Sequence, residues 1–231
     1  IPIPTELFVP SLIFADEREG KTGSDFELQK ALVGLREKPM GERAVTIAYI
    51  TYASTTPTGE VEEPATGGAL IVALGLPAPE IVLRNVSPES TVGVIRANNE
   101  TRPFFILRVS SYERTFAGML SWEGEMAEDL GYFFPPFPKP EVAPEVIATT
   151  TASTTPAKTG STTPTTTPSK VVFIPRFKDE VVENHDVRIL RDEQGNTVLL
   201  YGYRDKSTLV IARNEGAFKE LLTRLSTAKT Q

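Results

Sequence analysis

The 231-residue sequence has no cysteine, one histidine and one tryptophan. Without cysteine there is no disulfide framework, no thiolate nucleophile and no cysteine-based zinc site. The single histidine, His185, is a poor start for a Ser/His/Asp triad. No G-x-S-x-G elbow supplies a nucleophile, and an aspartate adjacent in sequence (Asp186) is not placed to orient an imidazole. No Walker loop, dinucleotide fingerprint or H-E-x-x-H run occurs. No apolar run reaches the roughly 18 residues of a membrane span; the longest, 69–83, is interrupted by Pro77 and Pro79. Nor is there an excess of positive charge. Twenty-four Lys and Arg against 30 Asp and Glu leave a net charge of −6. That weighs against a nucleic-acid partner and against adhesion to an anionic membrane surface.

What is present is ordinary globular composition, 40% hydrophobic and 23% charged, around one biased stretch. Residues 148–169 hold eleven threonines and three prolines, with no acid, no aromatic and no large aliphatic residue. Such a composition buries too little apolar surface to offset the entropy of ordering it. The expected organisation is therefore an extended leader at 1–23 with prolines at 2, 4 and 10, then a first lobe at 24–146. A flexible Thr/Pro-rich loop at 147–170, a second lobe at 171–227 and a tail at 228–231 follow. The second lobe has 57 residues and strands apolar on both faces, so it needs cover from the first.

Within the lobes, 24–37 opens with the capping-box spacing Ser24/Glu27 and reads as a helix, and 43–52 reads as a strand. Residues 55–68 read as a polar loop, 69–75 as a short helix or a buried strand with helix preferred, and 78–86 as a second short helix. Residues 91–97 and 103–109 read as a hairpin. Residues 110–134 form one long amphipathic helix capped by Ser110 and Glu113 and stopped at Gly131. Three strands after the Thr-rich stretch lead to a final helix at 214–225, capped by Asn214. Glu113, Phe116, Met119 and Leu120 repeat the spacing of Glu215, Phe218, Leu221 and Leu222. This predicts an α+β fold of two similar small antiparallel-sheet-plus-helix units packed as one domain, with both phenylalanines buried at matching positions.

Little in the pattern points to chemistry. Asp192, Gln194 and Asn196 alternate like the start of a calcium loop, but Tyr203 stands where the closing acid belongs, so a hairpin turn is expected. Glu123, Glu125, Glu128 and Asp129 read as the wet face of a helix rather than an acid–base pair. No cofactor or metal site is expected. The binding candidates are aromatic: Trp122, and Tyr132, Phe133, Phe134 and Phe137 set among prolines, where stiff rings suit a partner surface if exposed and otherwise close the core at the end of the long helix.

Residues Ser111, Tyr112, Phe116, Ala117, Gly118, Met119, Leu120, Trp122 and Glu123 form the pattern S-[YF]-x-x-x-F-A-G-M-L-x-W-E. This stretch, with 177–203, resembles a family of membrane-anchored extracytoplasmic proteins of candidate-phylum bacteria that has no assigned activity. The resemblance implies an N-terminal anchor, an α+β body and a variable low-complexity insertion. It implies no catalytic residue. The sequence thus predicts a non-enzymatic, membrane-tethered scaffolding or interaction domain outside the cytoplasm, partnered by another cell-envelope protein. The alternative is a cell-wall polymer hydrolase that uses carboxylates.

Overall fold

Residues of both parities along the central strands supply two separate apolar sets, and a sheet built from them requires a cover on both faces. The computed structural model describes residues 11–22, 27–56, 59–134 and 174–227. The strands are β1 (Glu17–Thr22), β2 (Val45–Thr56), β3 (Gly59–Pro64), β4 (Thr91–Ala97), β5 (Glu100–Arg108), β6 (Phe177–Val182), β7 (His185–Arg191), β8 (Thr197–Asp205) and β9 (Thr208–Ala212). Among the described residues they make one nine-stranded sheet in the order β1-β2-β4-β5-β9-β8-β7-β6, with β3 paired to the far end of β2. The helices are α1 (Glu27–Leu35), α2 (Gly67–Ala73), α3 (Glu80–Leu83), α4 (Tyr112–Trp122), α5 (Met126–Asp129) and α6 (Glu215–Thr227).

One face of the sheet carries Ile50, Val94, Phe105, Leu107, Leu199, Tyr201 and Ile211 against α1 to α5. The other carries Ile47, Ile95, Phe104, Ile106, Val187 and Val210 against α6 and the segment around Ile13. The parts before and after the Thr-rich stretch join where β5 pairs antiparallel with β9, from Phe105↔Ile211 to Arg108↔Thr208. Helix α6 is capped as expected, the Ala217 amide donating to Asn214 Oδ1 at 2.9 Å.

An α+β architecture was legible, but several elements differ. The sheet is mixed, because β1 runs parallel to β2. The end of the expected leader is therefore a strand. The expected polar loop at 55–68 is instead the end of β2, strand β3 and the start of α2. The long helix breaks at Glu123–Gly124, well before Gly131, and restarts as α5. Its N-cap is Ser111, which accepts from the Arg114 amide, while the Ser110 hydroxyl bonds Asn85. Strand β6 was not anticipated at all. Ser24, the cap of the Ser24/Glu27 pair, and the segments 147–170 and 228–231 lie outside the described residues.

Gly118 shows how tightly α4 is seated. A Cβ there would lie 2.7 Å from methyl groups of both Ile81 and Val82, so α3 and α4 touch through bare backbone. The buried stripe of α4 is Thr115, Gly118, Met119 and Trp122. Phe116 lies to one side of it, half-buried, and Leu120 is exposed, whereas Phe218 and Leu222 are both in the core. Phe218→Ala should cost about 3–5 kcal/mol in urea unfolding, the range for a buried phenylalanine, and Phe116→Ala no more than about 1–2 kcal/mol. Equal losses would show that Phe116 is packed as deeply as Phe218.

Candidate functional site

The first turn of α4 and the outer strands β6 to β8 enclose a groove of about 580 Å³ on the face shared with α1 to α5. Spacing of i and i+4 stacks Tyr112 on Phe116, centroids 5.7 Å apart and planes within 8°. Strand alternation sends Tyr201 and Tyr203 to the same face, and Gly202 between them faces the other core beside Val187 and Phe218. Tyr203 meets Tyr112 edge-on at 4.8 Å and Phe116 at 6.3 Å, forming a three-ring wall. Arg188 lies on the floor. Asp179 and Val181 of β6, with Asp186 of β7, make the opposite bank. Val181 is 67% exposed, an apolar side chain held out on an edge strand.

The floor is locked by one carboxylate. Glu123, at the end of α4, accepts from Arg188 Nε and Nη2 at 2.7 Å each and from the Tyr201 hydroxyl at 2.7 Å. Both charged side chains are largely buried, and the bidentate geometry is the strong form of this pair. Arg188 Nη1 also donates to Asp179 Oδ1 at 2.9 Å. Glu123, then Asp179, hold the guanidinium firmly in its charged form against the cost of burial. Burial, then the bond to Glu123, raises the Tyr201 phenol above its usual range. Burial, then its neighbour Tyr112, does the same for Tyr203. The native state therefore favours the neutral phenols. Their contribution to stability is complete below the unfolded value near about 10 and is lost as the pH rises above it. The Tyr203 hydroxyl is buried without a hydrogen-bond partner among the described residues.

The aromatic residues expected to form a partner surface are mostly in the core. Trp122 is buried, and its Nε1 donates to Asp129 Oδ2 at 2.5 Å. Phe133 and Phe134 are buried and meet Phe105 edge-on at 5.5 and 5.7 Å. The break after α4 is the cause, because the short α5 turns the chain back onto the sheet and seats both rings on β5. Tyr132 is exposed, with its carbonyl accepting from Arg36, and Phe137 lies outside the described residues. These four described aromatics therefore make no common patch. His185 lies at the groove's end, its Nδ1 2.8 Å from the Glu183 carbonyl and its ring against Phe218. Asp192 accepts from the Asn196 amide and side chain and closes the β7–β8 turn. Among the described residues no group of three His, Asp or Glu side chains could hold a metal ion.

Sequence reasoning missed the groove itself. Two local signals were present: the Tyr112/Phe116 pair at helical spacing off the buried stripe, and the alternation Tyr201-Gly202-Tyr203 on one strand. No protein-family model, curated protein or solved structure matches the chain.

Glu123→Gln should lower stability by about 2–3 kcal/mol, because it leaves Arg188 charged, largely buried and short of its main partner. Adding Arg188→Met should restore part of that loss. A change under about 0.5 kcal/mol in Glu123→Gln would mean that the pair behaves as a surface ion pair.

Proposed function

We propose that the chain is a non-enzymatic interaction domain of the cell envelope, tethered to the membrane and working outside the cytoplasm, with the aromatic groove as its contact surface. The observation that carries this reading is how the groove's polar groups are committed. Glu123 is held by three donors, and Arg188 is spent on Glu123 and Asp179. What the groove offers a visitor is ring surface, Val181 and two bank carboxylates, which suits recognition better than proton transfer. The resemblance of 111–130 and 177–203 to anchored extracytoplasmic proteins supports the location. Another envelope protein is the expected partner.

The finer organisation belongs to the same proposal. Hairpin β4–β5 with α4 and hairpin β8–β9 with α6 are two versions of one strand–strand–helix unit. Their shared order supports this, while their helices cover opposite faces of the sheet and Phe116 is only half-buried where Phe218 is in the core.

A photo-crosslinking residue at Val181, used in envelope preparations of the source organism, should give a discrete protein adduct. The same residue at Val72, exposed on α2 and away from the groove, should give none. No adduct at Val181 contradicts the reading. Soluble fragments released from cell-wall polymer, and lost with Asp179→Asn or Asp186→Asn, would establish the hydrolase instead.

A further inference from the structure

Resting on the interaction reading, we propose that the groove's occupant is an extended, basic peptide segment that adds to the sheet as a strand along β6. Among the described residues β6 pairs only with β7, so one of its edges is open. The register says which groups that edge presents. The β6–β7 turn is Glu183-Asn184, both at positive φ, so Val182 and His185 close a two-residue hairpin as a hydrogen-bonded pair. Alternation then turns the backbone groups of Val181, Asp179 and Phe177 away from β7. The same three residues point their side chains to the groove face, where Phe177 joins one core and Asp179 and Val181 line the groove. The strand that could pair with a visitor is thus the strand whose side chains would read it.

The surface beside β6 has the period of a strand. Asp179 and Val181 border the aromatic groove, and Phe177 borders a second hollow of about 400 Å³ with Ile174, Leu190 and Ala127. Glu123 lines that second hollow and, through its bond to Arg188, divides it from the groove. From Phe177 to Val181 is about 13 Å at the usual strand rise. Alternate side chains of a paired strand would therefore fall one into each space, as in strand addition generally.

Charge selects the chemistry of the occupant. Asp179, Glu180 and Asp186 line the groove against one cation, Arg188, which is already bound to Glu123. Glu180 is taken by Arg191 at 2.7 Å, leaving Asp179, 86% exposed and sharing Arg188 with Glu123, and Asp186. A lysine or arginine leaning back over β6 would meet these carboxylates and the faces of Tyr112, Phe116 and Tyr203, a favourable cation–π setting.

The test uses three synthetic decapeptides and the 1–231 chain. One alternates threonine and lysine, one alternates threonine and glutamate, and one is the lysine peptide N-methylated on alternate amides. In fluorescence anisotropy the lysine peptide should bind at least tenfold tighter than the glutamate peptide, with the N-methylated form weakened at least tenfold. Amide exchange should slow at Asp179 and Val181 on binding. Asp179→Asn with Asp186→Asn should reduce the lysine/glutamate preference, with a smaller loss of stability than Glu123→Gln because Arg188 keeps both bonds to Glu123. Equal binding of the peptides, no binding, or binding without protection of β6 amides overturns strand addition. Chitotetraose binding in the groove with β6 amides unprotected would assign the site to a glycan. If the lysine peptide fails while the Val181 adduct persists, strand addition is wrong and the interaction reading stands.

Discussion

The ladder between β5 and β9 is the constraint on which the rest of the molecule depends. It sits at the centre of the sheet and is made by strands from opposite sides of the Thr-rich stretch. Helix α6 covers one face of β7 to β9. Leu199, Tyr201, Leu209 and Ile211 on the other face find their cover in the core that α1 to α5 share. Apolar burial of that extent is worth on the order of 1.5–3 kcal/mol per large side chain, so neither face can be left open. The ladder sets the two parts in register, and α4 then lies across β7 and β8.

The groove follows from that placement. Its ring wall comes from both parts of the chain, and Glu123 to Arg188 and Tyr201 is a polar weld between them at the groove floor. The stretch 111–123 serves both purposes at once. Ser111 caps the helix, Gly118 admits α3, Met119 and Trp122 fill the core, and Tyr112, Phe116 and Glu123 build the groove. One helix thus joins the packing of the core to the wall and floor of the groove.

The elements that were legible in the sequence are those with strong local periodicity. Helices α1, α4 and α6, the β4–β5 hairpin and strands β7 to β9 all carry apolar residues at their proper period. The missed strands β1, β3 and β6 lie at or beside sheet edges, where charge replaces alternation, as in Lys178, Asp179 and Glu180. The Glu183-Asn184 turn also lacks the glycine that usually signals such a hairpin. The sequence left open whether Phe133 and Phe134 face a partner or the core, because their fate depends on a helix break at Gly124 that an otherwise continuous amphipathic pattern conceals; Trp122 lies on the regular buried stripe of α4 before that break. The groove was hidden for a different reason. Its residues belong together only after β5 meets β9, and no local pattern encodes that meeting.

The central claim, one sheet shared by both parts of the chain, is tested most directly by cutting the chain between them. A protease site engineered near Gly160 should be cleaved without separating the fragments on size exclusion, and the nicked protein should melt in a single transition followed alike by Trp122 fluorescence and by far-ultraviolet circular dichroism. Fragments that elute apart, each with its own cooperative melt, would contradict the shared sheet and the groove that depends on it.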